Sequence, residues 1–65
     1  RGLKVLDARV ENGAFVVTLE GRAGARYDMG VTRPGGRSSR EAVEFPAEGG
    51  DPRDGYLRRT LRFRP

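Results

Sequence analysis

The 65-residue chain has no cysteine, no histidine and no tryptophan. Without cysteine a disulfide is impossible, and without cysteine or histidine a zinc site loses both preferred ligands. Nucleophilic catalysis is equally short of parts: Ser38 and Ser39 have no histidine to act as base. No apolar run approaches the ~20 residues that cross a bilayer as a helix, and no charged-then-apolar segment reads as a signal peptide. No helical periodicity lasts for three turns. No cofactor motif is present, so none is expected.

Size sharpens these absences. A domain of ~60 residues buries only about 60% of the surface its unfolded chain exposes. Small scaffolds usually compensate with disulfides, metals or partners, and the first two are missing here. The chain also opens on Arg1 rather than Met. We therefore expect one small module, residues 1–65, cut from a longer polypeptide and stabilised by a neighbouring domain. Its compartment stays open.

What the chain does have is charge and alternation. The formal net charge is +4, and arginine supplies every basic residue except Lys4. A basic balance can favour polyanions. Nine acidic residues are interspersed, however, so no single-sign field builds up.

Apolar residues alternate with polar ones around two turns. Asn12-Gly13 is a strong hairpin signal, because a type I′ turn needs positive φ at both central positions. Closing it pairs Glu11 with Ala14, Val10 with Phe15, Ala8 with Val17 and Leu6 with Leu19. Directly opposed residues share a face, so six apolar residues fall together. A second turn, Arg22-Ala23-Gly24, fits a three-residue loop with Gly24 in the left-handed position. As a hairpin it pairs Leu19 with Tyr27, Val17 with Met29 and Phe15 with Val31, and sets Glu20 against Arg26 as an ion pair. The three strands then form an antiparallel meander.

Arg33 to Ser39 reads as a loop around Pro34-Gly35-Gly36. A fourth strand follows over Glu41 to Phe45, with Val43 and Phe45 on one face. A short helix over Arg37 to Glu44, capped by Ser38 or Ser39, is the second reading of that segment. Ala47 to Gly55 is a Gly-, Pro- and Asp-rich loop. The last strand spans Tyr56 to Phe63, with Leu57, Leu61 and Phe63 on one face. Arg59 interrupts that face and signals a bulge or an edge. The fold class is all-β: about five antiparallel strands in a small β-sandwich, or in an open sheet lying on a neighbouring domain. The expected core face is Leu6, Ala8, Val10, Phe15, Val17, Leu19, Tyr27, Met29, Val31, Val43, Phe45, Leu57, Leu61 and Phe63.

Arg58, Arg62 and Arg64 form the clearest candidate site. On one face of the last strand they could meet phosphates or anionic sugars. Strand-binding surfaces interleave such charge with aromatic platforms, and four of the five aromatics here fall on the expected core face. A charged edge that resists aggregation explains the arginines without nucleic acid. The carboxylates Glu48, Asp51 and Asp54 sit among glycines, yet their spacing does not match a calcium loop. Arg33-Pro34-Gly35-Gly36-Arg37 lacks the strand-loop-helix setting of a phosphate loop. No catalytic residue, metal ligand or cofactor ligand emerges, and the chain reads as a non-enzyme.

The stretch Phe15-Val16-Val17-Thr18-Leu19-Glu20-Gly21-Arg22-Ala23-Gly24-Ala25-Arg26-Tyr27 resembles a hairpin of small β-sandwich modules. Such modules are often attached to bacterial glycoside hydrolases and other polysaccharide-active proteins. The shared pattern is an apolar strand, a Gly-x-x-Gly turn and a Tyr opening the return strand. Leu57 to Phe63 resembles the closing strand of such C-terminal modules. The resemblance implies a non-catalytic structural accessory role. Two alternatives stand beside it: a carbohydrate-binding module, which would need exposed coplanar rings, and a weak polyanion binder using the last strand.

Overall fold

A computed structural model describes residues 2–33 and 35–64. It contains five strands: β1 (Lys4–Glu11), β2 (Ala14–Arg22), β3 (Arg26–Thr32), β4 (Ser38–Glu44) and β5 (Tyr56–Phe63). They form two antiparallel sheets, one in the order β1-β2-β5 and the other β3-β4. The described residues contain no helix, so Ser38 and Ser39 open a strand. The body measures 39 × 20 × 17 Å.

The first hairpin follows from its turn. Asn12 and Gly13 take φ of 52° and 79°, and Glu11, Val10 and Ala8 face Ala14, Phe15 and Val17. Beyond Asp7 the register slips at a bulge. Leu19 faces Val5, not the expected Leu6, and Leu6 is the extra residue. A bulge adds twist to a strand at a sheet edge, where β1 lies.

The second hairpin does not form. Gly24 is left-handed, with φ of 78°, and Ala25 N–H closes a turn on the Arg22 carbonyl. That turn carries the chain into the other layer, so β2 and β3 are not lateral neighbours and the three-strand meander is broken. The free side of β2 is taken by β5, from Phe15 opposite Phe63 to Arg22 opposite Tyr56. β3 pairs with β4 through a loop after Thr32, with Tyr27 opposite Val43 and Val31 opposite Ser39. Alternation reports that one face of a strand is buried. It does not say whether the next strand lies beside it or above it, because both arrangements use the same row of side chains. The expected Glu20–Arg26 pair is accordingly replaced: Glu20 meets Arg58, and Arg26 faces Glu44.

The core lies between the layers. Val17, Leu19, Val43 and Phe45 are buried at its centre, with Phe15, Tyr27, Met29, Leu57, Leu61 and Phe63 packed around them. Val31 is buried as expected. Tyr27 meets Phe45 edge-on at 5.7 Å, and Phe15 stacks with Phe63 at 6.3 Å. β5 runs without a bulge at the sheet edge. Its inward Arg59 bridges the layers, donating from Nη1 to the Glu44 carbonyl at 2.5 Å. The first strand departs from expectation: Leu6 is half-exposed and outside the core cluster, while Ala8 and Val10 are exposed. The β3-β4 layer covers β2 and β5 and leaves the β1 row without a lid. Ala14, Val16 and Tyr56 are buried instead, although none lies on the expected core row.

Candidate functional site

The expected site falls on the outer face of the three-stranded sheet. Arg58 and Arg62 lie on β5 opposite Glu20 and Val16, on the face away from the core. Both meet carboxylates. Arg58 Nε is 3.6 Å from Glu20, and Arg62 Nη1 is 3.3 Å from Glu11 while its Nη2 donates to the Glu11 carbonyl. Between the two arginines, Thr18 and Thr60 hydroxyls share a hydrogen bond of 3.1 Å. Arg64 lies just beyond the strand, exposed, with no ion pair among the described residues. The stripe therefore exists as a row, but two of its three cations are matched by acids on the same sheet.

Arg9 completes this surface. It donates to Asp7 at 2.7 Å and to Glu11 at 3.1 Å. These bonds raise the Arg9 pKa, Glu11 being the larger cause, and hold the Glu11 carboxyl below its usual range through Arg9 first and Arg62 second. Val16 sits in register between Arg9 and Arg62 and is only 4% exposed. Long basic side chains cover apolar surface with their stems. That explains a buried valine on a face read as outward, and gives the arginines a packing role.

The acidic loop is a turn. Asp51 accepts from the Arg53 guanidinium at 3.3 Å and from its N–H at 2.8 Å, and these bonds, the guanidinium's first, lower the Asp51 pKa. Asp54 accepts from the Tyr56 N–H at 3.0 Å. Among the described residues no three His, Cys, Asp or Glu side chains converge as a metal site, and no pocket opens. The Arg33–Arg37 loop closes the β3-β4 hairpin, with Arg33 N–H bonded to the Arg37 carbonyl at 2.7 Å; Pro34 within it lies outside the described residues.

Two features escape the sequence reading. The first is a clasp in which Arg33 donates to Ser39 and, at 2.8 Å, to Glu41, with its guanidinium 5.4 Å over the Phe63 ring. Ser39 also donates to Glu41, whose pKa is lowered by Arg33 first and Ser39 second. The signal was available: Glu41 has the same parity as Val43 and Phe45, and a carboxylate on the inward row calls for a partner. The second feature is the uncovered inner row of β1. Val5 and Val10 are 55% and 62% exposed, with Ala8 exposed between them. Their cross-strand partners Leu19, Phe15 and Val17 are buried or half-buried.

Comparison with protein-family models, with curated proteins and with solved structures finds no match.

Proposed function

We propose that the chain is a non-catalytic structural accessory module of a larger, polysaccharide-active bacterial protein, seated on a neighbouring domain of the same polypeptide through the inner face of β1. The uncovered row Val5, Ala8 and Val10 carries this reading. A single exposed valine is unremarkable, but a row continuous with the core is a contact surface. The polysaccharide connection rests on the resemblance of Phe15 to Tyr27 and of the closing strand to such modules. Phe15, Tyr27, Phe45, Tyr56 and Phe63 are all buried or half-buried. That placement favours an accessory role over a sugar-binding one, which would turn rings outward.

The test is a single cysteine, Val10→Cys, placed in the isolated chain and in the full polypeptide that contains it. Thiol labelling should be fast in the first and at least tenfold slower in the second. Equal labelling would overturn the docked arrangement. A reading frame encoding only these residues would overturn the accessory role itself.

A further inference from the structure

The edge of β1 carries a second, separate message. A two-residue turn with positive φ at Asn12 and Gly13 makes its flanking residues, Glu11 and Ala14, a hydrogen-bonded pair by its geometry. Antiparallel pairs alternate. Arg9 and Asp7 therefore also bond toward β2, and the N–H and C=O groups of Ala8 and Val10 point to the free edge. The outer row along that edge reads Asp7, Arg9, Glu11.

From this pattern we infer that β1 is a self-complementary edge that pairs antiparallel with β1 of a second copy, about a two-fold axis at Ala8. In this register the backbone of Ala8 bonds to its own counterpart. Asp7 of each copy faces Arg9 of the other, in the non-bonded position where side chains approach most closely. A two-fold contact must match itself, and neighbouring registers do not. An axis at Arg9 sets arginine on arginine, and one at Asp7 sets aspartate on aspartate. An axis at Val10 matches Arg9 with Glu11 but drives Ala8 into the Asn12–Gly13 turn. The other edge of this sheet, β5, presents Arg58 and Arg62 in its outer row and has no acidic residue of its own to face them in a second copy. The product is a six-stranded sheet in the order β5-β2-β1-β1-β2-β5. The bulge at Leu6 ends the matched stretch on each side and keeps the association weak. This pairing uses the backbone edge of β1 and leaves the Val5, Ala8 and Val10 face free for the docking proposed above.

Sedimentation equilibrium of the chain over a wide concentration range tests it. The parent should associate reversibly into dimers. D7R and R9D should each self-associate about tenfold more weakly or not at all, because each now opposes like charges across the axis. An equimolar mixture of the two should recover the dimer, since the arginines of one then face the aspartates of the other. A monomeric parent, unchanged single variants, or a mixture that stays monomeric while both variants keep their β-sheet circular dichroism would each overturn the proposal. Should a single variant unfold, the double swap D7R/R9D decides: a dimer supports the two-fold register and a monomer rejects it. None of these variants touches the valine face, so the thiol-labelling result stands or falls separately.

Discussion

Gly21 lies directly beneath the Phe45 ring: a Cβ at Gly21 would stand 2.5 Å from Phe45 Cε1. The constraint is space, since Gly21 is not among the positive-φ glycines. Both residues are buried. Gly21→Ala should therefore destabilise the fold by about 1–3 kcal/mol through overpacking. Thermal melts of Gly21→Ala, Phe45→Leu and the double variant check the cause. The double variant should lose less than the sum of the singles, because the smaller side chain gives the new methyl room.

Val17 and Val10 have the same β-propensity but different surroundings, 1% and 62% exposed. Val17→Asp buries an unpaired carboxylate and should unfold the module. Val10→Asp should cost within about 0.5 kcal/mol in the isolated chain, as exposed substitutions do. Denaturant titrations of both variants are the measurement, and similar losses would mean that the register is wrong.

The Arg33–Ser39–Glu41 clasp ties stability to pH. The Glu41 pKa in the folded chain is lowered, so unfolding takes up a proton in the acid range. The clasp's contribution should be complete above the ordinary glutamate pKa of about 4.3 and fade as pH falls through the lower folded value. Glu41→Gln should melt earlier than the parent at neutral pH, and the gap should close on acidification. A constant gap across that range would detach the clasp from the titration.

The arginine row predicts little binding. Three phosphate contacts would give a slope of about −2 to −3 for log affinity against log salt. Glu20 and Glu11 already meet Arg58 and Arg62. A labelled oligonucleotide should show no binding at physiological salt, and at most weak binding at low salt that vanishes in the triple Arg58→Ser, Arg62→Ser, Arg64→Ser variant. Tight, salt-sensitive binding lost in that variant would restore the row as a site.

The strands were largely legible because their signals are local. Asn12-Gly13 sets one turn, and Tyr56 to Phe63 is bounded by glycine and proline. Lateral pairing was not legible, since Tyr27, Met29 and Val31 would alternate in the same way beside β2 or above it. The bulge at Leu6 left no mark either, because Val5 and Leu6 are both apolar and either could face Leu19. The arginine row was legible as a row. Its neutralisation was not, since Glu11 and Arg62 are 51 residues apart in sequence and meet only through β2.

The position of β2 between β1 and β5 has a consequence for how the chain assembles. Both hairpins close over short turns, which is fast, whereas Thr18 must wait for Thr60 across 42 residues. During synthesis β1-β2 and β3-β4 can form while the second edge of β2 stays open. β2 already meets the other layer through Val17, Leu19, Val43 and Phe45, but its second edge closes only when β5 sets Phe63 against Phe15, so losing Tyr56–Phe63 would remove the closing step of folding.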